Sequence, residues 1–100
     1  MQQRFKKLTI GDKVITSNKL IEYELSICDF NWLLECEVDN AEIEIKDNIL
    51  YWHNGIFYWG NWIWGIFNNG EFRSGTWNGG ILYGGKFSGK WLNGKNMKEV

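Results

Sequence analysis

The chain has 100 residues, a net charge of −1 and no proline, and 17 % of it is aromatic, with seven Trp. That length suits one domain with a modest core. Its apolar runs fall far short of the ~20 residues that a membrane-spanning helix needs, and Met-Gln-Gln-Arg-Phe-Lys-Lys at the N-terminus is not followed by the apolar stretch of a signal peptide. A cytoplasmic protein with no membrane span is expected, with Cys28 and Cys36 as reduced, core-facing thiols and not a disulfide.

Charge is unevenly spread: residues 1–19 carry +4, residues 20–50 carry −8 and residues 51–100 carry +3. Without a clustered Lys/Arg stripe, direct nucleic-acid binding is not expected. The acidic middle either keeps strands soluble or steers a basic partner.

In chain order, Lys7-Leu8-Thr9-Ile10 and Lys13-Val14-Ile15-Thr16 flank Gly11-Asp12 as a short hairpin would. Ile21, Tyr23, Leu25 and Ile27 alternate with Glu22, Glu24 and Ser26, the period-two signature of a half-buried strand. Trp32, Leu34, Cys36 and Val38 alternate likewise with Glu35 and Glu37. Ala41, Ile43 and Ile45 alternate with Glu42, Glu44 and Lys46. Asp39-Asn40 and Asp47-Asn48 are turn dipeptides between these runs. No segment shows convincing helical periodicity; a single helical turn over 30–36 is the weaker reading there.

From residue 52 the pattern changes to a five-residue word. Glycine stands at 55, 60, 65, 70, 75, 80 and 85, and three residues before each sits Trp52, Phe57, Trp62, Phe67, Phe72, Trp77 or Leu82. Glycine tolerates positive φ without steric cost, so each is a bend between three-residue stretches. Two geometries use these letters. In an up-and-down meander, residue i pairs with i+5 and the rings form one row, with facing strands ~4.8 Å apart. In a four-sided coil, i stacks on i+20. The meander is favoured, because a square interior has little room for Trp62 and Trp77. The first units carry Ile56, Tyr58, Trp59, Ile63, Trp64 and Ile66, apolar on both faces and so expected to be sandwiched. Later flanking positions are polar. The beat slips at the end, where Gly89 follows Gly85 by four, as in an adjusted terminal unit. The tail 95–100 is polar and expected to fray. The expectation is one all-β domain over 1–100: short N-terminal antiparallel strands over 1–50, then a pentad-repeat β array over 51–95.

Gly70-Glu71-Phe72-Arg73-Ser74-Gly75, Tyr83-Gly84-Gly85-Lys86-Phe87-Ser88-Gly89 and Lys90-Trp91-Leu92-Asn93-Gly94-Lys95 resemble MORN-type repeats. The resemblance covers only 52–95, and the family's units are longer than five residues. It implies a hairpin ladder serving as an interaction platform, for proteins or sometimes lipid headgroups. The pentad also resembles pentapeptide-repeat solenoids, although their usual Ala-Asp/Asn-Leu signature is missing. Neither resemblance transfers a functional residue.

Little in the sequence points to catalysis. His53 is the only histidine and has no evident nucleophile and acid beside it. One His and two widely placed Cys do not make a metal site. The glycines are not followed by the Gly-Lys-Ser/Thr of a phosphate loop. Glu42 and Glu44 lie about 7 Å apart along a strand, a spacing that glycosidase acids share, but many such pairs arise where acids are so dense. No enzyme, cofactor or metal is expected. Three non-catalytic roles fit: a structural or protein-binding module docking partners on its aromatics; a carbohydrate-binding module using Trp/Tyr with Asn61, Asn68, Asn69 and Asn78; or a small inhibitor, of the sort a phage encodes, whose acidic 20–50 segment imitates nucleic acid. The candidate contact residues are Tyr58, Trp59, Trp64, Tyr83 and Trp91, with Glu35, Glu37, Glu42 and Glu44 as a charged face. A homo-oligomer is also expected, because an open array leaves unpaired strand edges.

Overall fold

The computed structural model describes residues 3–91, 95 and 96, with side chains from 3 to 89. The tail beyond residue 96 and the Trp91 side chain therefore lie outside the described residues. The fold is mainly β, as expected, with antiparallel hairpins in an open mixed sheet.

Strands β1 (Phe5–Ile10) and β2 (Lys13–Ile15) form the expected hairpin about Gly11-Asp12. Strand β3 (Glu37–Lys46) runs parallel to β1 and antiparallel to β4 (Ile49–Trp59). Its period-two pattern buries Ala41 and Ile43 completely or nearly so. Asp47-Asn48 reverses the chain between β3 and β4 with φ of 53° and 59°, the two positive φ values that a tight type I′ hairpin requires. Asp39-Asn40, expected as a turn, lies inside β3 instead. Asn40 takes φ 51° where the β3–β4 register shifts, so the dipeptide makes a bulge.

Two further expectations are corrected. Residues 20–27 are not a strand: helix α1 spans Asn18–Ser26, with the Ser17 side chain accepting from the Leu20 N–H at its start. The apolar letters satisfy both periods. Ile21 and Leu25 share one helix face and are fully buried, whereas Tyr23 and Ile27, which a strand would bury with them, are 61 % and 65 % exposed. Residues 31–35 form a 3-10 helix, Asn31–Glu35, which buries Leu33 in place of the alternating Trp32 and Leu34.

The array is a coil of three sides. Its strands are β5 (Asn61–Trp62), β6 (Ile66–Phe67), β7 (Glu71–Phe72), β8 (Thr76–Trp77), β9 (Ile81–Leu82), β10 (Lys86–Phe87), β11 (Lys90–Trp91) and β12 (Lys95–Asn96). Tyr51 pairs with Ile66 and Asn61 with Thr76, parallel and fifteen residues apart, so three pentads complete one coil. Stacking partners are thus neither five nor twenty residues away. The reason lies in the turns. Among described array residues only glycines take positive φ, so each corner bends the chain but cannot reverse it, in contrast to Asp47-Asn48. Backbone bonds join the coils: the Asn68 N–H donates to the Trp52 carbonyl, Arg73 to Phe57 and Asn78 to Trp62, each at 2.8 Å.

The pentad rings all point inward. Trp52, Phe57 and Trp62 cross one another edge to face at 6.0 Å, filling the first coil. Each stacks on the ring one coil further on: Trp52 on Phe67 at 5.5 Å, Phe57 on Phe72 at 4.4 Å and Trp62 on Trp77 at 5.0 Å. Each such pair adds about 0.5–1.5 kcal/mol beyond area burial. The N-terminal end of the prism is plugged by Trp32, edge-on to Trp62 at 5.4 Å. At the other end the missing residue shows as a register of fourteen, Lys90 opposite Thr76, and Gly89 closes in over the Phe72 ring.

Candidate binding surface

Long strand β4 belongs to both halves of the molecule. It bends at Gly55 and supplies two sides of the first coil through Tyr51-Trp52 and Ile56-Phe57. Its other edge pairs with β3, which therefore roofs those two sides. Among the described residues the third side, β5, pairs only with β8. Above it stands the 3-10 helix, with the Cys36 thiol 3.6 Å from the Asn61 carbonyl oxygen. Gly60, at the corner before β5, lies so close to Cys36 that a Cβ there would come within 3.0 Å of it.

The apolar second face of the first coil is not sandwiched. Trp59, Ile63 and Trp64 are 59 %, 45 % and 46 % exposed. They follow one another around the corners at Gly60 and Gly65, and the Trp64 ring extends over Gly79 of the next coil. Beside them opens a groove of about 340 Å³, lined by Trp32, Glu35, Cys36, Trp59, Asn61 and Ile63. Glu35 and Glu37 are exposed, and Glu37 lies opposite Trp59 in the β3–β4 ladder. Neither makes an ion pair with a described residue, whereas Glu22, Glu24, Glu42, Glu44 and Glu71 all do.

The sequence-based candidates therefore separate. Trp59 and Glu35 line one groove and Trp64 stands at the next corner, whereas Glu37, though opposite Trp59 in the ladder, lines the groove beside Arg4 and Tyr58. Tyr58 lies half-buried with the Arg73 guanidinium 5.0 Å above its ring, and Arg73 is itself held by Glu71 at 2.9 Å. Tyr83 is exposed on a different side of the coil. Glu42 faces Lys6 at 3.7 Å and Glu44 faces His53 at 2.8 Å, away from Glu35. Asn61, named above only for the carbohydrate-binding reading, belongs to the groove, as do Trp32, Ile63 and Cys36, which were not among the candidate contacts. Ile63 was legible as an apolar letter in a slot that the polar residues Asn68, Arg73, Asn78 and Ser88 fill later. Trp32 was not, since its placement depends on the 3-10 helix.

Other chemistry is accounted for locally. His53 sits between Glu44 and Asn68; with the Asn68 amide donating to Nδ1 at 3.3 Å, Nε2–H is the group facing Glu44. Tyr51 stacks on it at 6.1 Å. Of these neighbours only Tyr51 carries a hydroxyl, and it meets His53 ring to ring. Burial pushes the Cys36 thiol up to about 11 and raises that of Cys28, so neither ionises near neutral pH. A second groove beside Arg4 is occupied by structural bonds: the guanidinium donates to the carbonyls of Leu34 and Cys36 and to Glu22, all at 2.8 Å. No helix among the described residues is long and apolar enough to cross a membrane. Compared with known proteins, the chain matches no family model, no curated protein and no solved structure.

Proposed function

We propose that this chain is a non-catalytic protein-binding module, in which the three-sided coil is a rigid post presenting Trp59, Ile63 and Trp64 to a partner. The observation that carries this reading is the exposure of three large apolar side chains at adjacent corners of one coil. Tryptophan anchors dominate interface energetics, and a contiguous apolar patch marks a contact surface where scattered single residues would not. The backbone beneath is tied into coil-to-coil hydrogen bonds, so little ordering is needed on binding.

The double variant Trp59→Ser/Trp64→Ser tests it. Because both side chains face solvent, the melting temperature should stay within a few degrees of wild type. Proteins retained on the immobilised wild-type chain, and any self-association seen by light scattering, should be lost from the double variant and kept by Tyr83→Ser. Identical retention by all three would remove the reading.

A further inference from the structure

The first coil is roofed on two sides by β3, while on the third, among the described residues, there is no strand and the 3-10 helix with Cys36 covers only part of the edge. In the lower coil, the Thr76 N–H donates to the Gly60 carbonyl at 2.9 Å and the Asn78 N–H to the Trp62 carbonyl at 2.8 Å. Residues 61 and 63 hold the same register positions one coil earlier. Their N–H groups therefore point away from β8, toward the place that a preceding coil would occupy and where the groove opens. An unpaired strand edge is a template for another chain.

We propose that an extended, basic peptide segment of a partner protein adds to β5 in this groove as the missing strand. The inference rests on the protein-binding reading above and names the mode and chemistry of the partner. Main-chain pairing supplies affinity in such additions, and pockets for alternate side chains supply specificity. Here the edge N–H groups of Asn61 and Ile63 donate to carbonyls of the added strand. The alternate pockets are the apolar wall of Trp59 and Ile63, with Trp32 behind. Glu35, exposed in the groove lining and without an ion pair to a described residue, selects Lys or Arg at the rim, and Trp59 offers its face to the same cations. The Cys36 thiol on the Asn61 carbonyl is a weak contact, and it leaves the Ile63 end of the edge unblocked.

The test uses the whole chain and an acetylated, amidated peptide of four Lys-Val pairs, followed by amide chemical shifts, amide hydrogen exchange and Trp fluorescence. The expected result is saturable binding with exchange slowed at Asn61 and Ile63. Affinity should fall about threefold in Glu35→Lys, an exposed charge contact of the usual size. Binding should be lost when alternate backbone nitrogens of the peptide are methylated or when every Lys is replaced by Glu. Strand addition is overturned if the methylated peptide binds equally well, if the Glu-Val peptide does, or if nothing binds at millimolar concentration. It is also overturned if Ile63 becomes protected as the protein alone is concentrated, which would assign the groove to a second copy. Should the peptide fail while Trp59→Ser/Trp64→Ser still abolishes partner retention, the binding module stands and only this mode falls.

Discussion

At Gly70 the chain passes so close to the preceding coil that a Cβ would run into the Gly55 carbonyl oxygen, and its φ of 106° disfavours any side chain independently. Gly11 also has positive φ, 57°, but nothing lies within 4 Å of where its Cβ would be. Gly70→Ala should therefore cost about 2–3 kcal/mol in urea-denaturation stability, and Gly11→Ala only about 1 kcal/mol. Equal losses would mean that φ alone, and not coil spacing, demands glycine in the array. The cysteines give a pH dependence of definite sign. Cys36 stays protonated in the folded chain up to about 11, against a reference value of 9.0 when unfolded. Its contribution to stability is whole below 9 and disappears as the pH rises toward 11, because the unfolded thiol gives up its proton first. Melting temperatures measured from pH 8 to 11 should fall less for Cys36→Ala than for wild type.

Each two-residue strand of the array is too short to be stable alone, and its worth comes from the ring stacked beneath it. Phe72 lies between Phe57 at 4.4 Å and Phe87 at 4.9 Å and touches Phe67 and Trp77 edge-on. Phe72→Ala opens a void in the middle of a column and should destabilise by about 3–5 kcal/mol, while Phe72→Leu retains much of the volume and should cost clearly less. Chemical denaturation of both variants checks this, and a loss below 1 kcal/mol for the alanine variant would mean that the coils do not depend on the stack. Helix α1 shows the opposite case. Its Ile21 and Leu25 pack inward in either periodicity, so the choice between strand and helix fell to its Ser17 cap and to how many apolar residues β1 and the 3-10 helix could cover.

For the whole molecule, the decisive element is β4, which serves as the last strand of the N-terminal sheet and as two sides of the first coil. Removal of residues 1–48 would bare its entire outer edge and the upper faces of Trp52 and Trp62. A fragment starting at Ile49 should therefore fail to fold as a monomer, giving no dispersed amide spectrum or a mass by light scattering that rises with concentration. A well-dispersed monomeric spectrum from that fragment would show that the coils need no roof. Three-sided closure also explains why an apolar second face is tolerable: it occupies corners of a post, where a partner can reach it, and not the middle of a flat sheet.

Several features are already written in the letters. The glycine beat announces regular bends, the rings three places before each glycine identify the interior, and the Asp47-Asn48 and Gly11-Asp12 turns bracket strands correctly. The stacking interval is not written there. A five-residue word with a single positive-φ residue bends the chain at each corner but does not state how many bends close a coil; that number follows from how three rings meet edge to face at 6.0 Å. Nor can local pattern say which apolar residues stay wet. Trp59 and Trp64 carried both expectations, sandwiched in an apolar unit and offered as contacts, and they remain in solvent where β3 ends its pairing with β4 at Glu37 and no strand among the described residues lies above β5. Periodicity is a property of neighbours along the chain, whereas cover is a property of whatever arrives from fifteen or more residues away.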